Sequence, residues 1–201
     1  MSDFIDVIVK GGAVMAPLLA CSVIGLAVVI ERWLFWRRIG NRQMAETLLD
    51  LVERGELNKA AESARQTDLP LVRVLASGLT HRNAMAKALE VAAQREIPVL
   101  KQRLTILDTI ITLAPLLGLL GTVTGMIGSF GIMSQVGIGQ PHAVTGGVAE
   151  ALIATATGLL IAILTLVPYN YFSNRAEREM EDIEYFASRL ELALNGANEN
   201  K

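Results

Sequence analysis

One acidic residue limits what this chain can fold into. Between Thr109 and Asn174 the only Asp, Glu, Lys or Arg is Glu150, set in Gly146-Gly147-Val148-Ala149-Glu150-Ala151-Leu152-Ile153-Ala154-Thr155-Ala156-Thr157-Gly158. Text of this kind suits lipid, where a lone carboxylate costs roughly 2.5–3.5 kcal/mol on insertion scales. Near a helix end such a group can cap or snorkel to the surface. Deeper in, it marks an ion pathway or a proton relay.

The rest of the composition agrees with a membrane protein: 52% of the 201 residues are hydrophobic, and the mean hydropathy is +0.42. Three uncharged blocks, 11–30, 109–134 and 151–173, reach the roughly 20 residues an α-helix needs to cross a hydrocarbon core. Short alternating segments typical of an outer-membrane barrel do not occur. The expected fold is an all-α membrane protein with three transmembrane helices and long cytoplasmic helical extensions. Asp3 and Asp6 precede the first block, and Glu31-Arg32-Trp33-Leu34-Phe35-Trp36-Arg37-Arg38 follows it. That context predicts a retained anchor rather than a cleaved leader. Cys21 stands alone, so neither a disulfide framework nor a thiolate metal site is available.

Basic residues set the expected topology. Twelve of the eighteen Lys and Arg lie from Arg37 to Arg103, and none lies between Gln135 and Thr145. The positive-inside rule then puts the middle segment and the tail in the cytoplasm, with the N-terminus and the short loop outside. The segments read as an outer lead at 1–10, a first span at 11–36, a cytoplasmic helical part at 37–104 and a second span at 105–134. An outer loop at 135–145, a third span at 146–172 and a cytoplasmic helix at 173–201 complete the chain. Residues 2–9 alternate acidic and bulky apolar side chains, compatible with a short surface helix or a frayed lead-in. Arg32, Trp33, Trp36, Arg37 and Arg38 read as interfacial anchors of the first span, and Tyr169, Tyr171 and Arg175 as those of the third.

The middle segment has helical periodicity, with Leu48, Leu49 and Val52 on one face and Glu46, Asp50 and Glu53 on another. Gly55 and Asp68-Leu69-Pro70 punctuate it, predicting two or three short helices before a longer one. The longer helix should start near Asn83 and run into the second span, kinked but not ended by Pro98. The acidic run Glu177, Glu179, Glu181, Asp182 and Glu184 reads as a solvated helix face.

Small residues crowd the second and third spans: Gly118, Gly121, Gly125 and Gly128 in one, Gly147, Ala151, Ala154 and Gly158 in the other. Spacings such as Gly121-x-x-x-Gly125 let helix backbones approach closely in lipid. So many small faces exceed the needs of three helices and predict a homo-oligomer. Thr122, Thr124, Thr155 and Thr157 add hydroxyls, each able to bond its own helix instead. Thr157, seven residues from Glu150, shares its face, whereas Thr155 lies about 140° round an ideal helix. His142 falls in the outer loop, so a relay across the bilayer requires a partner carrying a second titratable side chain.

Other function classes fare worse. Ser129 or Ser134 with His142 would make a nucleophile and base without an orienting third group, and an aspartyl dyad lacks its second carboxylate. No enzyme, cofactor, metal site or nucleic-acid surface is expected; His81 and His142 lie far apart in the topology. A passive membrane scaffold is the remaining alternative.

The long motifs of the two spans resemble the ExbB/TolQ/MotA proton-channel family, its ExbB/TolQ branch in particular. They are Ala114-Pro115-Leu116-Leu117-Gly118-Leu119-Leu120-Gly121-Thr122-Val123-Thr124-Gly125-Met126 and Gly147-Val148-Ala149-Glu150-Ala151-Leu152-Ile153-Ala154-Thr155-Ala156-Thr157-Gly158-Leu159. Tyr169-Asn170, Pro17, Ser22 and Glu31-Arg32 fit as well. The resemblance implies a pentamer whose second and third spans line a pore, with Glu150, Thr155 and Thr122 as polar pore residues. It further implies a dimer of a one-span ExbD- or TolR-like partner that supplies an aspartate. A TonB- or TolA-like periplasm-spanning protein would then receive the work. The load would be outer-membrane transport in an ExbB-type system or envelope integrity in a TolQ-type one.

Overall fold

Every regular element among the described residues is helical. The computed structural model describes residues 11–39, 42–65, 67–136 and 141–199, the side chains of 135–136, 141–144 and 195–199 excepted. The surface helix considered for residues 2–9 lies outside that set. Helix α1 spans Met15–Ile39, α2 Arg42–Glu53, α3 Leu57–Arg65 and α4 Pro70–Thr80. After a 3-10 turn at Arg82–Ala84 come α5, Met85–Leu100, α6, Leu104–Val136, and α7, Pro141–Glu199. Helices α1, α6 and α7 are long and apolar enough to cross a membrane.

The chain divides into two compact units, Met1–Glu31 with Arg103–Tyr171, and Arg32–Gln102 with Phe172–Lys201. In the first, Met15, Leu18 and Cys21 of α1 pack with Ile110 and Ala114 of α6 and Ile161 of α7. Outward-facing residues such as Val23, Leu26, Leu116, Ile127, Leu152 and Leu164 stay exposed, as lipid-facing positions do without a hydrophobic drive to bury them.

In the second unit, short amphipathic helices cover one another. Ala45, Leu48, Leu49 and Val52 turn inward from α2, Leu71, Val72, Val74, Leu75 and Leu79 from α4. The C-terminal part of α7 adds Phe172, Ala176, Ile183, Phe186 and Leu190, spaced by three, four or seven residues along one face. The local stops follow ordinary chemistry. Gly55, at φ +79°, closes α2: its N–H donates to Val52 O and that of Glu56 to Leu51 O, both at 2.9 Å. This is the paired bonding that satisfies terminal carbonyls and favours glycine. Pro70 opens α4, where its missing N–H costs nothing. Of the acidic tail residues, Glu177, Glu181 and Glu184 are exposed, while Asp182 pairs with Arg42 at 3.1 Å.

The long middle helix is not continuous with the second span. Pro98 lies within α5, but the helix stops at Leu100 and Lys101–Arg103 form a turn before α6. Arg103 adopts φ +62°, in the left-handed region, at a cost of about 1–2 kcal/mol for a residue with a Cβ. Its guanidinium lies 3.5 Å from the Glu31 carboxylate. Pro98 does not end the helix; the break falls on three residues of good helix propensity.

Candidate functional site

Helices α6 and α7 run antiparallel along a seam of small residues. Gly158 faces Ala114, Gly118 faces Ala154 and Thr155, and Gly125 faces Ala151 and Gly147. A methyl on Gly121 would come within 2.5 Å of the Ala154 Cβ, and one on Gly158 would overlap the Ala114 carbonyl oxygen. Contact this close lets backbone meet backbone, which holds helices together in lipid. Gly118, Gly121, Gly125, Gly147 and Gly158 are therefore used within one chain. Their abundance is no argument for a homo-oligomer, as the sequence had suggested; Gly128 and Gly146 alone of the span glycines named above border open space.

Glu150 stands beside this seam. It lies nine residues after the first residue of α7, about 13 Å along the axis at 1.5 Å per residue. Gly147 and Ala151 beside it keep the α6 backbone close, and half-buried Glu150 lines a cavity of 340 Å³. Gly121, Thr124, Gly125 and Ser129 of α6 form one side, and Gly11, Ala13 and Val14, just ahead of α1, another. No hydrogen bond or ion pair joins Glu150 to another described residue.

The threonines divide. Thr122 donates to its own helix at Leu119 O, 2.7 Å, and Thr157 to Ile153 O, 2.8 Å. Thr124 does the same to Leu120 O and Gly121 O. Thr155 alone of the four reaches across, donating to Gly118 O at 2.8 Å. None of Thr122, Thr155 and Thr157 lines the Glu150 cavity; Thr124 does. The hydroxyls imagined as nucleophiles also bond backbone: Ser129 to Gly125 O and Ser134 to Gly131 O. The His142 side chain lies outside the described residues.

Two of the residues assigned to the membrane interface turn inward instead. Arg32 is fully buried, its guanidinium 4.2 Å from the Phe35 ring and donating to Val99 O at 3.4 Å. Trp36 is buried as well, with Arg175 over its ring at 5.4 Å and donating to its carbonyl. The reason is packing: an Arg stem and an indole cover much apolar surface, and Val99 of α5 offers Arg32 a carbonyl while Arg175 of α7 covers the Trp36 ring. Trp33, Arg37, Arg38 and Tyr171 are exposed, and Tyr169 is half-buried.

Sequence reasoning missed Gly12, whose backbone abuts the Glu150 carboxylate with φ +71°. The doubled glycine at Gly11-Gly12 was the one available signal.

The chain matches the MotA/TolQ/ExbB proton channel family over residues 57–185. It is 38% identical over 190 residues to an ExbB-like biopolymer transport protein of Synechocystis, covering 90% of each chain. It is 28% identical over 201 residues to the biopolymer transport protein ExbB of Neisseria meningitidis, again covering 90% of each. A Tol-Pal system protein TolQ of Pseudomonas aeruginosa is 39% identical over 111 residues, 55% of this chain and 48% of that one. Its three apolar helices and these relatives make it a multi-pass inner-membrane protein. The chain belongs to the MotA/TolQ/ExbB proton channel family, in its ExbB/TolQ branch.

Proposed function

We propose that this chain is the ring-forming subunit of a proton-driven motor, with Glu150 as the group that takes up and releases the proton. The observation that carries this is a single carboxylate, in an otherwise uncharged span, facing a cavity among glycines. Several copies, five by the family's pattern, surround a one-span ExbD- or TolR-like partner whose acid is the second station of the relay. Each charge that crosses 100 mV releases about 2.3 kcal/mol, and the ring passes it as movement to a TonB- or TolA-like protein that spans the periplasm. The middle segment and the tail are cytoplasmic and the N-terminus lies outside, in keeping with the distribution of Lys and Arg. Thr122, Thr155 and Thr157 shape the path from within the helices. The chain catalyses no covalent chemistry.

The load is outer-membrane transport. The ExbB-like relative of Synechocystis and the ExbB of Neisseria meningitidis match along 90% of this chain, and the ExbB of Xanthomonas campestris and the TolQ of Pseudomonas aeruginosa along 58% and 55%. Deleting the chain should then impair uptake of scarce nutrients; leakage of periplasmic contents with normal uptake favours the envelope role.

The central test is proton flux into vesicles that hold the chain with its one-span partner under an imposed gradient. Glu150→Gln should abolish flux while leaving assembly intact. Undiminished flux would defeat the motor reading and leave a scaffold.

A further inference from the structure

Resting on Glu150 as the proton-carrying group, we propose that Gly12 is its positioning residue: the turn ahead of the first span forms the wall that seats the carboxylate. Two described glycines have a left-handed φ, Gly12 at +71° and Gly55 at +79°. Their surroundings differ. A Cβ on Gly55 would meet nothing within 4 Å, which leaves its backbone conformation as the sole reason for glycine. A Cβ on Gly12 would overlap the Glu150 carboxylate, lying 2.8 Å from its Cδ and 3.3 Å from its Cγ.

The turn is tied into α1 by the Met15 N–H, which donates to Gly12 O at 3.1 Å. Gly11 and Ala13 border the same cavity as Glu150. The absent side chain at position 12 is therefore the space the acid occupies. What a methyl there would strike is the far end of a flexible side chain, not backbone. The least costly response is for the carboxylate to swing out of its seat while the α6–α7 seam stays closed. Gly12 thus decides where the acid points and which side of it the cavity reaches.

The test uses the full chain in lipid vesicles and a hydrophobic carbodiimide, which modifies protonated carboxyls; modification of Glu150 is followed by mass spectrometry. Gly12→Ala should change its rate about 2- to 10-fold, the range set by displacing a side chain from its preferred rotamer. Gly55→Ala imposes the same backbone strain away from the acid and should leave the rate unchanged. In the Glu150→Asp background, where the carboxylate is drawn back by one methylene, adding Gly12→Ala should have no effect on modification of Asp at position 150. An unchanged rate in Gly12→Ala, or an equal change in Gly55→Ala, overturns the proposal. Undiminished flux in Glu150→Gln would sink the proton-carrying reading by itself, since the labelling comparison does not depend on flux.

Discussion

Thr155 Oγ1 donates a 2.8 Å hydrogen bond to the Gly118 carbonyl oxygen, where a methyl on Gly118 would come within 3.0 Å of the Thr155 Cα. The bond crosses between two membrane helices, unlike those of Thr122 and Thr157. Thr155→Val keeps the shape and removes the donor. It should lower stability by about 0.6 kcal/mol, the average for such bonds in membrane proteins, read as a lower melting temperature in lipid. Thr155→Ser should melt near the native value, and Thr122→Val should do less harm than Thr155→Val.

The seam makes a sharper demand at Gly158. Its added methyl would overlap the Ala114 carbonyl oxygen, whereas one on Gly128 would meet nothing within 4 Å. Gly158→Ala should cost about 1–3 kcal/mol, as overpacking does, and Gly128→Ala should be neutral or mildly stabilising through helix propensity. Thermal melting of the two variants side by side checks both.

Arg103 trades strain against charge. Its left-handed backbone is unfavourable, and its ion pair with Glu31, half-exposed, is worth about 0–1 kcal/mol. Arg103→Gly relieves the first and loses the second; Arg103→Ala keeps the strain and loses the pair. Melting temperatures should rank Arg103→Gly at or above native and Arg103→Ala below it.

Burial pushes the Glu179 carboxyl above its ordinary value of 4.5, and the neighbouring Asp182 charge adds to the effect against Arg175 and Arg42. The folded chain therefore holds this proton more tightly than the unfolded one. Its contribution to stability is full below about pH 4.5 and is lost as pH rises through the folded value. Glu179→Gln should raise the melting temperature at neutral pH, and the advantage should vanish in acid. A constant advantage at all pH values would show that the charge is not the cause.

Much of this architecture was legible because its signals are local. An uncharged run long enough to span lipid declares itself, as does the apolar face of α2 at Leu48, Leu49 and Val52. The stop after Leu100 was not, because Lys101-Gln102-Arg103 carries no Gly or Asn to announce a left-handed residue. The inward turn of Arg32 and Trp36 was hidden for another reason: both residue types suit an interface and a packed helix junction equally. The seat of Glu150 depends on Gly12, far away in the chain, and no periodicity links a residue in a turn to one on a distant helix.

The same seam shapes how a chain of this kind tolerates change. At Gly118, Gly121, Gly125, Gly147 and Gly158 a hydrogen fits and a methyl crowds its neighbour. On the outward side Leu116, Leu119, Val123 and Ile127 of α6 and Leu152, Leu159 and Ile163 of α7 stand exposed in the single chain, and wherever lipid rather than another chain meets them, a hydrocarbon tail distinguishes such side chains poorly. These spans are written in two alphabets, one with a single letter and the other rich in synonyms. A library of variants scored for survival should separate the two, position by position.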